Sequence, residues 1–320
     1  MTTGIAPVPA AGRDRRALLL GSIDVQAADG LEIGPSLNPV VPKASGARVR
    51  SVDHTGAAAL RAKYADHVGV DVSKIEEVDF VWAGGRLRAA IGESAVFDYV
   101  VASHVLEHLP NPIAFLQDCA ALLRPGGRLA LALPDHRFCF DHARPLTTFG
   151  AWVDAYDADR QLHTPGTVVD HLLHAVARNG AIMWTAAERA PATLVHGYPE
   201  AVSALDQARA QAGYLDVHAW VLNPSSFALL IENARRFGLV ELDVLELVDT
   251  VDGEFFVALG RSSSPGASAP PADDDRRLAL MLAARETERA PVGPAPQALT
   301  LARRARRLLG RSARRLGLRR

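Results

Sequence analysis

Residues 97–134 read FDYVVASHVLEHLPNPIAFLQDCAALLRPGGRLALALP, and this stretch decides the fold. Phe97–Ala102, apolar except for Asp98, is a run of the kind buried within a sheet. Asn111-Pro112 supplies an N-cap and a proline suited to a first helical turn. Ile113, Leu116, Cys119, Ala120 and Leu123 then recur at helical spacing, which predicts a helix over 113–123. Pro125-Gly126-Gly127 ends it, and Arg128–Leu133 is the next strand. A strand, a crossover helix and a second strand make a parallel α/β unit.

The same rhythm extends in both directions. Upstream, residues 14–28 suit a lead-in helix. Leu31-Glu32-Ile33 is a short strand entering a turn at Gly34-Pro35, and Arg48–Asp53 is a second strand. Ala57–Tyr64 is helix-like, and Val78–Val81 is short and β-prone. Downstream, Ser225–Phe237 keeps one apolar helical face, followed by Gly238 as a C-cap. Val240–Leu247 and Glu254–Leu259 read as a hairpin with Asp252-Gly253 at its tip. Residues 135–222 lack strong strand signals and are predicted to form a helical insertion, with helix-like stretches at 167–177 and 200–213.

A strand running into a glycine turn places backbone N–H groups at the carboxyl edge of a parallel sheet, where open α/β folds bind ligands. Asp53, ending the second strand, can accept both hydroxyls of a ribose. Asp79-Phe80, expected after the third strand, offers an acceptor for an exocyclic amine and a ring to stack on adenine. A nicotinamide enzyme would need Gly-x-Gly-x-x-Gly after the first strand. Positions 34, 36 and 39 are Gly, Ser and Pro, which disfavours that reading.

In order and spacing, Leu31–Asn38, Asp53, Asp79-Phe80, Phe97–Leu109 and Leu122–Gly127 resemble the class I S-adenosylmethionine-dependent methyltransferases. The similarity is to bacterial small-molecule, type 11-like members and covers about residues 28–135. It implies an α/β, Rossmann-like, seven-stranded, mostly parallel sheet with an antiparallel last strand, to which the 240–259 hairpin fits. The implied cofactor is S-adenosylmethionine. Carried over by position, Glu32 and Gly34 contact its methionine part, with Ser36 in the same turn. Asp53 holds the ribose, Asp79 and Phe80 hold the adenine, and Ser103 and His104 line the sulfonium side. The family's Glu-x-Gly-x-Gly-x-Gly reads here Glu32-x-Gly34-x-Ser36-x-Asn38, so two glycines are replaced by small residues.

His104, Glu107 and His108 share one face if the segment turns helically, which is a set able to take a divalent ion. It resembles the Glu-x-x-Glu-His of some metal-dependent O-methyltransferases. "Val-Leu-Glu-His" also occurs in metal-free members, and the primary reading assigns no metal. His104 and His136 are the candidate general bases for an oxygen acceptor. Residues 134–145 (PDHRFCFDHARP) are dense in Asp, His and Arg and suit a polar acceptor or a salt-bridged loop. Asp170, His171 and His174 read as a solvated helix face. Asp216-x-His218-x-Trp220 alternates as an edge would, facing the pocket or packing the insertion. The expected function is methyl transfer to a small polar or glycan acceptor, through oxygen. The alternative is a non-catalytic scaffold of the same fold.

The 320 residues are 48% hydrophobic and 22% charged, enough for a large core and too apolar for a disordered chain. Two cysteines exclude a disulfide framework and a four-cysteine metal site, and point to a reducing, cytoplasmic setting. The expected organisation is an extension at 1–28, an α/β core at 29–135 and an insertion or lid at 136–222. The core is completed by 223–261, and a linker and tail follow at 262–320. Net charge is −1, yet residues 276–320 carry thirteen Arg and two Glu. Arg303, Arg304, Arg306, Arg307, Arg311, Arg314 and Arg315 line one side of a helical stripe. That stripe suits the inner membrane face or an acidic protein. It has no aromatic residue for stacking on nucleic acid, and no nucleic-acid partner is expected.

Overall fold

The computed structural model describes residues 14–67, 70–92, 96–261 and 274–288. Seven strands form one sheet: β1 (Gly30–Ile33), β2 (Val49–Asp53), β3 (Phe80–Val81), β4 (Phe97–Ser103), β5 (Leu123–Pro134), β8 (Leu242–Val251) and β9 (Glu254–Arg261). Their order is β3-β2-β1-β4-β5-β9-β8. β1 to β5 pair in parallel, whereas β9 runs antiparallel to both β5 and β8. This is the Rossmann-like methyltransferase topology, with the last strand inserted in reverse.

Apart from Glu32 in β1 and Asp98 and Ser103 in β4, β1 and β4 are apolar, as suits strands covered on both faces. Side chains alternate between two cores. Leu31, Ile33, Val100, Ala102, Leu129 and Leu131 face one, and Tyr99, Val101, Ala130 and Ala132 face the other. The first core is covered by α3 (Leu87–Ile91), α4 (Pro112–Leu122), α5 (Phe149–Asp157) and α8 (Pro224–Arg236). The second is covered by α1 (Arg15–Leu20) and the segment bearing Val40 and Val41. α1 is much shorter than the expected lead-in helix. Asp14 caps it, and Gly21 ends it at φ +55°. Gly30 is required for packing: a Cβ there would lie 2.0 Å from Tyr99 Cζ.

α4 begins as its sequence predicts, with Asn111 Oδ1 accepting the Ala114 N–H at 3.0 Å, a cap worth about 1 kcal/mol. The Pro-Gly-Gly after it is a break in register within β5, between the pairs Phe97–Leu123 and Tyr99–Arg128. Asp252 and Gly253 both take positive φ, +49° and +90°, as a tight hairpin between β8 and β9 demands.

Between β5 and α8 lie α5, α6 (Pro165–His174), α7 (Tyr198–Arg209) and a small antiparallel pair, β6 (Val176–Arg178) with β7 (Ala192–Leu194). α5 inserts Trp152 into the main core, whereas α6 and α7 form a cluster around Val168, Leu172, Ala201 and Val217. The helix-like reading of 167–177 runs into β6, because the chain turns at Ala175 to pair with Leu194. α9 (Asp274–Glu288) packs on α8, where Asn223 Nδ2 donates to Ala284 O at 3.1 Å and Arg276 pairs with Glu232 at 3.1 Å. The Arg303–Arg315 stripe lies outside the described residues. Among these, no helix is long and apolar enough to cross a membrane.

Candidate functional site

The carboxyl edge of the sheet gathers the residues singled out by sequence. Gly34 follows β1 at φ +67°, and Ser36 takes φ +46°, a left-handed position that an alternating glycine motif would fill with Gly. Glu32 is buried and points away from the edge. Its carboxylate accepts Val40 N–H at 2.6 Å and Val41 N–H at 2.8 Å, so it ties down the loop rather than reaching a ligand. Burial raises its pKa, against those two hydrogen bonds. Asp53 Oδ2 accepts Ser36 N–H at 2.9 Å, while Oδ1 accepts the backbone and Nδ1 of His54 at 2.8 and 2.6 Å. Ser36 Oγ is buried with no protein partner.

Asp79 departs from its expected place. β3 starts at Phe80, so Asp79 precedes the strand instead of following it. Lys43 Nζ and Ser51 N–H, at 2.5 and 2.7 Å, bind its carboxylate. Burial opposes ionisation, but these partners hold the carboxyl below its usual range. Phe80 lies within the strand, with the Arg50 guanidinium 5.3 Å from its ring centre. The residues that leave β3 at the edge are Trp82–Gly85, with Trp82 stacked on Phe115.

At the end of β4, Arg15 of α1 donates to Ser103 Oγ at 2.7 Å and to Glu254 at 2.6 and 2.8 Å. His104 has φ +53°, a conformation that costs a residue with a side chain energy and is held by its surroundings. Its Nδ1 lies 3.1 Å from Glu107 Oε1 and its Nε2 3.0 Å from Glu254 Oε2. Burial lowers its pKa, but the two carboxylates outweigh this and lift it to about 10. Near neutral pH the ring is therefore an imidazolium with both nitrogens donating, which does not suit the expected base. His136 does not line the cavity that His104 lines. It is buried in the turn after β5, with its backbone N–H bonded to Leu222 O.

That cavity, about 350 Å³, is lined by His104, His108, Cys139, Phe140, His171, Met183, Asp216 and His218 among others. His218 Nδ1 meets Asp141 Oδ2 at 2.5 Å, and Arg144 holds the other Asp141 oxygen at 2.7 Å. Burial works against the Asp141 charge, yet His218 and Arg144 bring its pKa down to about 2. Asp216 Oδ1 lies 2.8 Å from His108 Nδ1. His171 is not on a solvated face: it is buried, and its Nδ1 accepts His218 N–H at 3.2 Å. Asp170 and His174 are exposed. Glu107 is fully buried, and its Oε2 has no hydrogen-bond partner. Among the described residues, one donor atom from each of Glu107, His108 and His218 lies within 4.8 Å of the others. His104 is drawn instead toward Glu254. Sequence reading singled out the stretches that hold His218 and Asp141 but did not name either residue as a site candidate. The signal was present in the Asp216-x-His218 alternation and in the loop around Asp141.

A left-handed glycine turn after β1, a carboxylate ending β2 and a reversed last strand define a class I methyltransferase core. The model of the "Methyltransferase domain" family matches residues 13–188, and the chain belongs to that family. A curated relative, the ubiquinone biosynthesis O-methyltransferase of Parvibaculum lavamentivorans, is 42% identical over 55 residues, which cover 17% of this chain and 21% of that protein. The same-named protein of Xanthomonas campestris pv. campestris strain B100 is 50% identical over 36 residues, covering 11% and 15%. The chain thus spans about a fifth or less of these relatives' length. Among solved structures, the CcbJ methyltransferase of Streptomyces caelestis is 16% identical with a TM-score of 0.40, covering 78% of this chain and 89% of that one. An S-adenosylmethionine dependent methyltransferase from Mesorhizobium loti is 12% identical with a TM-score of 0.40, covering 77% and 96%.

The edge fits the cofactor. Gly34 keeps the family's left-handed turn, and a Cβ there would come within 3.1 Å of Val105 Cγ2. Ser36 Oγ is a buried hydroxyl with no protein partner. The His54 ring on Asp53 is half exposed.

Proposed function

We propose that the protein methylates an oxygen of a small polar acceptor held in the histidine-lined cavity. The observation that supports this most is the cavity's place: His104, which follows β4, lines it, and β4 is the neighbour of β1, which leads into the glycine loop. Gly34, Ser36 and Asp53 hold S-adenosylmethionine, which supplies an activated methyl group when bound. Ser103 and His104 stand at the reacting side, with His104 a fixed donor between Glu107 and Glu254. Residues 158–219, with α6 and α7, cover the cavity, exclude water and position the acceptor. Holding acceptor and methyl in line supplies most of the rate. A cavity of about 350 Å³ suits a single ring or sugar rather than a polymer segment. The Arg-rich tail keeps its reading as an anionic-surface contact.

The test is methyl transfer from radiolabelled S-adenosylmethionine to panels of phenols, sugars and amines. Labelled ether products support the reading. Labelled amines alone replace oxygen with nitrogen as the methylated atom.

A further inference from the structure

We propose that Glu107, His108 and His218 bind a divalent transition-metal ion, zinc by ligand chemistry, at the wall of the cavity, with one open position for the acceptor oxygen. The role of the ion rests on the methyltransferase reading above; the site itself does not.

Three observations carry the site. First, Glu107 is fully buried, and Oε2 has no partner. His104 meets Oε1 at 3.1 Å, but Oε2 is left bare in the interior, a cost that a second cation beside it would relieve. Second, both imidazoles have a carboxylate at Nδ1, Asp141 at 2.5 Å from His218 and Asp216 at 2.8 Å from His108. That leaves Nε2 of each ring uncommitted, and a carboxylate behind a histidine is the usual way of orienting a metal ligand. Third, one donor atom from each of the three residues lies within 4.8 Å of the others, so the three side chains already converge. Two imidazoles and one carboxylate, with a fourth position open, form a catalytic zinc set. Cys139 also lines the cavity, but its Sγ lies 3.9 Å from Asp141 Oδ2 and is not grouped with the three converging donors.

The ligands come from two parts of the chain. Glu107 and His108 sit in the turn after β4, and His218 in the segment between α7 and α8. An ion would pin the covering segment to the sheet edge. An acceptor hydroxyl on the open position has its pKa lowered and its lone pair aimed. Its proton leaves to bulk water. The new carbon–oxygen bond forms as the methyl–sulfur bond breaks, and that electron pair stays on sulfur, giving S-adenosylhomocysteine. The acceptor class is therefore a hydroxyl able to coordinate a metal.

The test is calorimetric titration of the chelator-stripped full chain with zinc, with metal content after dialysis measured by mass spectrometry. Wild type, Glu107→Gln and His218→Ala are compared, and S-adenosylhomocysteine binding is titrated separately in each. Wild type is expected to take up about one equivalent and to melt higher with zinc than without. Each variant is expected to bind zinc at least about tenfold more weakly while keeping S-adenosylhomocysteine binding. Absence of zinc uptake by wild type, or unchanged uptake in both variants, overturns the site. Should a variant also lose S-adenosylhomocysteine, the wild-type titration decides alone. Zinc uptake by a wild type that fails to bind S-adenosylhomocysteine removes the methyltransferase reading and leaves the metal site standing.

Discussion

Asp53 Oδ2 accepts the backbone N–H of Ser36 at 2.9 Å, so the carboxylate ending β2 also anchors the turn after β1. Asp53→Ala removes a ribose acceptor and frees that turn. S-adenosylhomocysteine binding, measured by calorimetry, is expected to weaken about tenfold or more, the equivalent of losing one or two hydrogen bonds to a charged group. Asp53→Ala binding as tightly as wild type contradicts the assignment.

Asp79 is bound to Lys43 and Ser51 before β3, away from the edge. Asp79→Asn is expected to lower the melting temperature slightly and to leave S-adenosylhomocysteine affinity within about twofold. A large loss of affinity would return Asp79 to the cofactor site.

Gly30 lies against the Tyr99 ring with no room for a methyl group. Gly30→Ala must displace either β1 or a fully buried tyrosine, at about 1–3 kcal/mol. Thermal denaturation is expected to show a midpoint several degrees lower. Gly30→Ala paired with Tyr99→Leu removes the ring carbons that the methyl group meets and is expected to recover part of the loss, whereas Tyr99→Phe, which keeps Cζ, is not.

Burial pushes the His163 pKa down to about 4. The unfolded chain binds a proton there below about pH 6.5, while the folded chain resists it. Stability from keeping this ring neutral is present above about pH 6.5 and declines as pH falls toward 4. In urea denaturation at about pH 7.5 and about pH 5, His163→Leu is expected to show a smaller difference in midpoint than wild type. Equal differences would mean that His163 does not contribute.

α9 packs on α8 through Asn223 and Ala284, so the region after 261 is not one unit. Truncation after residue 288 is expected to leave the melting temperature unchanged and to abolish binding to anionic vesicles. Truncation at 262 is expected to lower the melting temperature as well. Vesicle binding that survives the shorter cut excludes the Arg-rich stripe as the contact.

The stretch 97–134 was legible because each signal there is local: a doubly buried strand, a capped helix with one apolar face and a glycine break. The Asp252-Gly253 hairpin was legible for the same reason. Asp79 was misplaced because β3 has only two residues, too few for periodicity to fix its ends. His171 looked solvated because the rings packed around it, Phe140, His196 and His218, lie two dozen or more residues away along the chain. The shift of His104 to about 10 depends on Glu254, 150 positions away, and no local pattern announces that neighbour.

β9 is the last strand of the sheet to leave the ribosome, yet it lies between β5 and β8. Until it emerges, β5 presents an unpaired edge from Arg128 to Pro134, and Arg15 and His104 lack the Glu254 that joins them. The glycine loop and Asp53 are complete long before that point. A nascent chain therefore carries its glycine loop and Asp53 before it carries Glu254. Premature termination before 254 leaves an open apolar strand edge, the kind of surface on which chains aggregate.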